Sequence, residues 1–296
     1  MTFKILLFGK TGQVASAIEA LQSPSLEVNA LARTDADFED PEACAERVRA
    51  LACNAIVIAA AYTAVDRAEG DEKTAQTLNA TTPGAIARAA AMRGVPVIHL
   101  SSDYVFDGTA GAPYCEDDAP GPINAYGRTK LAGEQALLAS GAHGAIIRTS
   151  WVFATRGHNF LRTMLRLAGT REAVSVVDDQ VGAPTPASAI AEAAVTLAQG
   201  LANGARPMEI YHFQGAPAAS WADFAEAIFS AWAARGRRRP ELTRIATAQY
   251  PTPASRPLRT VLDCSRIQRV FGISQPDWRA YIGEAIAQWE GEQHAA

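Results

Sequence analysis

Tyr126 and Lys130 stand in the run Tyr126-Gly127-Arg128-Thr129-Lys130, within a segment patterned as a helix. That spacing sets both side chains on one helical face, one turn apart. A phenol beside an ammonium is a proton donor made ready for use: the positive charge favours phenolate and is expected to draw the tyrosine pKa down from about 10 toward the working pH. Lysine is scarce, occurring only at Lys4, Lys10, Lys73 and Lys130, so a Tyr-x-x-x-Lys spacing arises by chance on the order of 0.1 times in such a chain. Ser101-Ser102-Asp103-Tyr104 closes an apolar run, which places the Ser102 hydroxyl at the carboxyl end of a candidate strand, where open α/β sheets bind ligands. A Ser/Tyr/Lys trio beside a nicotinamide is the chemistry of a carbonyl reductase.

The first apolar run, residues 3–8, leads directly into Gly9-Lys10-Thr11-Gly12-Gln13-Val14-Ala15. Gly9 allows a tight turn, Gly12 lets backbone approach a pyrophosphate, and the helix N-terminus behind them offers free N–H groups and the positive end of its dipole. The pattern G-x-x-G-x-x-A lacks one glycine of the wider-spaced dinucleotide fingerprint, and Ala15 is small enough to keep helix and sheet close. NAD-specific sites usually end the second strand with a carboxylate for the ribose 2′-hydroxyl. Here Leu31-Ala32-Arg33-Thr34 occupies that place, so Arg33 is expected to pair with a 2′-phosphate, favouring NADPH while leaving NADH usable. Asp37 and its neighbour Phe38 are candidates for the adenine side.

These residues need a scaffold that brings strand ends together. Candidate strands at residues 4–8, 26–31, 55–60, 97–101 and 145–149 are rich in Ile, Val or Leu without in/out alternation, as parallel strands buried on both faces should be. Helical patterns at 13–21, 41–52, 72–93 and 125–139 lie between them. Asp40-Pro41 is a helix start and Gly94 a helix stop. The alternation predicts an α/β fold, a doubly wound parallel sheet of Rossmann type. The second half is less regular: an amphipathic helix from Ser220 to about residue 235, a terminal helix over 278–290, and three prolines within 249–257 that preclude regular structure there. Residues 174–177 and 210–213 read as strands that return to the main sheet. The expected division is a dinucleotide-binding domain over 1–150, with returning segments from within 174–213, and a smaller, discontinuous substrate-binding domain drawn mainly from 151–296.

The chain has 296 residues and a net charge of −4, which gives no footprint for nucleic acid. The only dense basic run, Arg235 to Arg239 interrupted by Gly236, reads as a solvated helix end before Pro240. Cys44, Cys53, Cys115 and Cys264 are dispersed and the histidines scattered, so neither disulfides nor a metal site is expected. No apolar run reaches membrane-spanning length and no signal-peptide pattern opens the sequence; a cytoplasmic protein is the expectation.

Several longer motifs carry a resemblance. Phe8-Gly9-Lys10-Thr11-Gly12-Gln13-Val14, Ala59-Ala60-Ala61-Tyr62-Thr63-Ala64-Val65-Asp66, Ser102-Asp103-Tyr104-Val105-Phe106-Asp107-Gly108, Arg148-Thr149-Ser150-Trp151-Val152-Phe153, Asp179-Gln180-Val181-Gly182-Ala183-Pro184-Thr185 and Tyr250-Pro251-Thr252-Pro253-Ala254-Ser255-Arg256-Pro257 together resemble the extended short-chain dehydrogenase/reductases, and within them the dTDP-4-dehydrorhamnose reductase family. The chain departs from that pattern at Ala15, where a glycine is common, at Ser102, where many members carry threonine, and at Leu258-Arg259-Thr260. Serine keeps the hydroxyl that the chemistry needs.

The resemblance implies NADPH-dependent reduction of the C4 ketone of a dTDP-4-keto-6-deoxy sugar, giving dTDP-L-rhamnose, a glycosyl donor for surface polysaccharide. It implies that Tyr126 donates the proton, that Lys130 lowers the Tyr126 pKa and binds the nicotinamide ribose, and that Ser102 orients the carbonyl as an oxyanion-hole donor. Ala59, Ala60, Ala61 and Thr63 would join the coenzyme site. Thr63, Val65, Asp103, Tyr104 and Trp151 would line the sugar pocket, and Arg256 would meet the substrate diphosphate. A homodimer is the assembly compatible with the family, with neither nucleic acid nor membrane as partner. Two other readings fit the same residues: a different nucleotide-sugar reductase or epimerase, and a non-catalytic NADP-binding regulatory subunit like that of methionine adenosyltransferase.

Overall fold

The computed structural model describes residues 1–204 and 206–295. The strands in chain order are β1 (Phe3–Phe8), β2 (Leu26–Leu31), β3 (Ala55–Ile58), β4 (Val97–Ser102), β5 (Gly144–Thr149), β6 (Val152–Phe153), β7 (Ala173–Val177), β8 (Val181–Gly182), β9 (Thr185–Pro186), β10 (Glu209–His212), β11 (Ala219–Ser220) and β12 (Glu241–Ile245). Six of them form one sheet in the order β10-β5-β4-β3-β1-β2, every pair parallel. The order reverses between β1 and β3, which opens a crevice at their carboxyl ends.

Alternation along each strand divides the core between the two faces of the sheet. Ile5, Leu7, Val57, Ile98 and Ile147 pack with the helices Gln13–Ala20 and Ala187–Ala202 on one side. Leu6, Phe8, Ile56, Val97 and Ile146 pack with the helices Pro41–Ala50 and Thr82–Arg93 on the other. Both faces are apolar because both are covered. Local signals set the helix ends: Asp40 accepts from the Ala43 N–H at 3.0 Å, and Gly94 takes the left-handed φ of 62° that stops the helix behind it.

The expected helix over 72–93 is broken into Glu72–Gln76, a π turn over Thr77–Thr81, and Thr82–Arg93. Pro83 supplies no N–H to an α ladder. The widened turn holds a fully buried Asn79, whose side chain accepts from the Tyr62 N–H (2.9 Å) and donates to the Tyr62 carbonyl (3.2 Å) and the Thr129 hydroxyl (3.0 Å). The helix Ala125–Leu138 crosses there at Gly133, where a Cβ would lie 2.0 Å from the Asn79 carbonyl oxygen.

β10 does return to the sheet, beside β5. β7 does not: it pairs with β12, a strand the sequence pattern did not single out. The β7–β12 ribbon covers a third core, in which Phe153, Leu165, Val176, Phe224, Phe229 and Trp278 pack with the helices Phe160–Ala168, Trp221–Ala233 and Ile282–Ala295. The terminal helix is preceded by a 3₁₀ turn at Trp278–Tyr281. On these cores we propose a discontinuous division: residues 1–150 with the segments holding Ala187–Ala202 and β10 around the sheet, and most of the remainder around the third core. The basic run is spent locally, Arg235 and Arg237 on Glu290, Arg238 on Glu172 and Arg239 on Glu226. No helix among the described residues is long and apolar enough to cross a membrane.

Candidate active site

A cavity of about 740 Å³ opens at the β1/β3 crevice and runs along the carboxyl ends of β4 and β5. Gly9 turns the chain out of β1 at φ 106°, where a Cβ would lie 2.7 Å from the Ala60 nitrogen; only glycine fits. Gly12 caps the helix Gln13–Ala20 with no side chain over its end, so the first-turn N–H groups are left for an anion. At the far side of this loop Arg33 is largely exposed and bonded to Glu39 (2.5 Å), with Asp37 at 3.4 Å. Those carboxylates hold its pKa above the ordinary value, Asp37 contributing most. A cradle of glycines and open N–H groups with an arginine at its end suits a dinucleotide carrying a 2′-phosphate. Lys10, Thr11, Gln13, Val14, Asp37, Phe38, Ala59, Ala60, Ala61 and Thr63 line the same cavity.

The groups expected to react sit further along. Asn124 caps the helix Ala125–Leu138, accepting from the Gly127 N–H at 2.8 Å and donating to the Ser255 carbonyl at 2.8 Å. Gly127 presses that helix start onto the end of β4, since a Cβ there would be 2.1 Å from the Tyr104 oxygen. Tyr126 thereby shares the cavity wall with Ser102, its ring edge-on to Tyr104 at 5.7 Å. Ser102 Oγ donates to Asp103 Oδ1 (3.1 Å) and accepts from the Tyr104 N–H (3.2 Å).

The electrostatics differ from the sequence expectation. Burial pushes the Tyr126 phenol up to about 12, against a smaller lowering from the neighbouring Ser102 hydroxyl. Lys130 does not draw it down: its ammonium donates to the Leu100 carbonyl at 2.6 Å and lies 3.5 Å from His99 Nε2. Burial lowers Lys130 to about 8, partly offset by Glu134, and holds the enclosed His99 well below the usual histidine range. Asp103 is raised to about 7 by burial, although the Thr260 hydroxyl donates to it at 2.5 Å. Tyr126 is therefore a firmly protonated acid at neutral pH, which is the state a proton donor to a ketone needs.

Val65, Ser102, Asp103, Tyr104 and Trp151 share the cavity wall with Tyr126 and Lys130. Arg256 is the exception. Its guanidinium is engaged by Asp66 (2.9 Å) and the Ala254 carbonyl (3.0 Å), outside the cavity lining, its charge already matched. Trp151 has φ 44°, an outlier for a bulky residue that costs on the order of 1 kcal/mol. Sequence reading missed Thr149, Ser150, Gly157, His158 and Trp221, which also line the cavity. Thr149 and Ser150 lay within one of the longer motifs; Trp221 carries no local signal, because its stacking partner Trp151 is remote in the chain. Among the described residues no cluster of His, Cys, Asp or Glu suits a metal ion.

A doubly wound parallel sheet with a glycine cradle at its switch point and Ser102, Tyr126 and Lys130 converging beside it defines an extended short-chain dehydrogenase/reductase. Comparison with known proteins narrows the class. The family model described as RmlD substrate binding domain matches residues 3–290. The dTDP-4-dehydrorhamnose reductase of Sinorhizobium fredii is 43% identical over 277 residues, 93% of this chain and 94% of that one. The enzyme of the same name from Salmonella typhimurium is 43% identical over 291 residues, covering 96% and 97%. Among solved structures, a dTDP-4-dehydrorhamnose reductase from Clostridium acetobutylicum superposes with a TM-score of 0.90 at 32% identity, covering 97% of this chain and 100% of that one. One from Bacillus anthracis in complex with NADP gives 0.88 at 28%, with the same coverage. The chain belongs to the RmlD family, that of the dTDP-4-dehydrorhamnose reductases.

Proposed function

We propose that this protein reduces the C4 ketone of dTDP-4-dehydro-L-rhamnose to the alcohol of dTDP-L-rhamnose, with NADPH as the coenzyme and NADH as a usable substitute. The observation that carries the reading is a half-buried, protonated Tyr126 that shares a cavity wall with Ser102 and Lys130, in the cavity that begins at the Gly9–Gly12 cradle, within a chain of this family.

Bound NADPH supplies the hydride to C4. The residues of the chain supply the rest. Ser102 donates a hydrogen bond to the ketone oxygen and stabilises the negative charge that grows there. Tyr126 transfers its phenolic proton to the same oxygen, so one proton and one hydride convert ketone to alcohol. Lys130, with its charge enclosed beside His99 and the Leu100 carbonyl, binds the nicotinamide ribose. Gly9 to Val14, Arg33, Asp37, Phe38, Ala59, Ala60, Ala61 and Thr63 hold the coenzyme. Thr63, Val65, Asp103, Tyr104 and Trp151 hold the sugar.

The test is loss of NADPH absorbance when purified protein meets dTDP-4-dehydro-L-rhamnose. Turnover of that sugar is expected. Tight NADPH binding without turnover would instead favour a coenzyme-binding regulatory role.

A further inference from the structure

Trp151 is the one described residue other than glycine with a positive φ. Such a conformation in a bulky residue persists only where the surroundings over-determine it, and it tends to fall at ligand clamps. Three contacts hold it here. The Thr185 N–H donates to the Trp151 carbonyl at 3.2 Å. Gly182 leaves room for the indole edge, since a Cβ there would lie 2.8 Å from Trp151 Cε2. The Trp221 indole stacks face to face on Trp151, centroids 3.6 Å apart and planes within 9°.

Trp221 is itself fixed. It opens the helix Trp221–Ala233 immediately after Ser220, whose hydroxyl accepts from the Asp223 N–H (3.0 Å) and donates to Asp178 (2.6 Å). Phe160 leans on Trp221 with centroids 4.6 Å apart. Trp151 lies just past β5 of the central sheet, whereas Trp221 packs against the third core. The stack therefore joins the two cores at the cavity that both indoles line.

We infer that Trp221 is a positioning residue for the nucleotide-sugar: by stacking on Trp151 it holds that indole in its left-handed backbone and so fixes an apolar wall against the C–H face of the pyranose ring. The inference rests on the function proposed above. Trp221 serves the sugar and not the coenzyme, whose cradle is built from the loop after β1 and the end of β2.

The experiment compares Trp221→Ala, Trp221→Phe and wild type in steady-state kinetics, in NADPH affinity by calorimetry and in circular dichroism. Trp221→Ala is expected to raise the KM for dTDP-4-dehydro-L-rhamnose about 10-fold and leave the NADPH Kd within about twofold, with Trp221→Phe recovering most of the loss, as suits one aromatic contact. The exciton signal of the stacked indoles should vanish equally in Trp221→Ala and Trp151→Ala. An unchanged sugar KM in Trp221→Ala would overturn the inference, as would a parallel loss of sugar and coenzyme affinity that phenylalanine does not rescue, or an exciton signal that survives the substitution. If wild type turns over the sugar, those failures belong to Trp221 alone; if wild type does not, the proposed function falls and this inference with it.

Discussion

Glu134 and Arg148 form a two-pronged ion pair, Nε to Oε1 at 2.9 Å and a terminal nitrogen to Oε2 at 2.7 Å, with neither side chain more than 2% exposed. Glu134 lies one turn beyond Lys130 on the helix that carries Tyr126, and Arg148 lies on β5. The Ser101 hydroxyl adds a bond to Glu134 at 2.5 Å, and Phe106 backs the guanidinium at 4.9 Å. This network pins the helix of Tyr126 to the sheet. Removing one partner of a buried pair strands the other charge, at a cost of about 3–5 kcal/mol. Glu134→Ala should therefore lower the melting temperature by about 10 °C. A pair of apolar replacements, Glu134→Leu with Arg148→Met, should restore most of it. Calorimetric melting of the three proteins checks this; a neutral Glu134→Ala would show that the pair pins nothing.

Tyr126→Phe keeps the ring and removes the only proposed acid. Its kcat should fall by about 10²–10⁴-fold, kcat/KM should fall in step, and KM should barely move. Coenzyme affinity should stay near wild type. Because burial holds the phenol at about 12, the free-enzyme kcat/KM profile should show no ionisation of Tyr126 near neutrality. A variant retaining more than about a tenth of wild-type kcat would pass the proton-donor role to another group.

Asp103 gives stability a pH dependence of defined sign. Its folded pKa, about 7, lies above the ordinary value of 3.8, so between those values the native state binds a proton that the unfolded chain has released. Stability from this group is full below the lower value and lost as pH rises to the upper, by up to about 4 kcal/mol. His212, depressed to about 3 by burial, and His99 work in the opposite sense over an overlapping range. The clean readout is thus a difference: the stability of Asp103→Asn relative to wild type, from denaturant melts, should improve steadily from pH 4 to pH 7. A constant difference would mean that Asp103 titrates normally.

The parts of this site that sequence made legible are those whose signal is local. Gly9 and Gly12 sit beside each other in the chain, and Tyr126 and Lys130 share one helical face, so period and spacing suffice to find them. The central strands β1, β3 and β5 were legible because double burial writes itself as apolar runs, whereas β2, at the edge of the sheet, carries exposed Glu27 and Asn29. What escaped depends on contacts between distant residues. Trp221 matters through Trp151, β7 is defined by β12, and Asn79 breaks a helical pattern in favour of Tyr62 and Thr129. The expected lowering of the Tyr126 pKa failed for a related reason: spacing along a helix gives proximity to Lys130 but not the degree of burial that dominates both groups.

In the proposed function Arg33 selects between coenzymes, and it does so in competition with its neighbours. Its guanidinium is engaged by Glu39 and lies near Asp37, and a 2′-phosphate has to share or displace those carboxylates. Arg33→Ala should raise the NADPH KM about 10-fold, the worth of one exposed charge-assisted contact, and change the NADH KM far less, because NADH has no 2′-phosphate. Glu39→Gln should act in the other direction, releasing Arg33 and removing a negative charge beside the phosphate, so that preference for NADPH over NADH increases. Steady-state kinetics with both coenzymes at saturating sugar measures the two shifts. Equal effects of Arg33→Ala on NADPH and NADH would make Arg33 a surface residue and leave the 2′-phosphate to the backbone of the loop after β2.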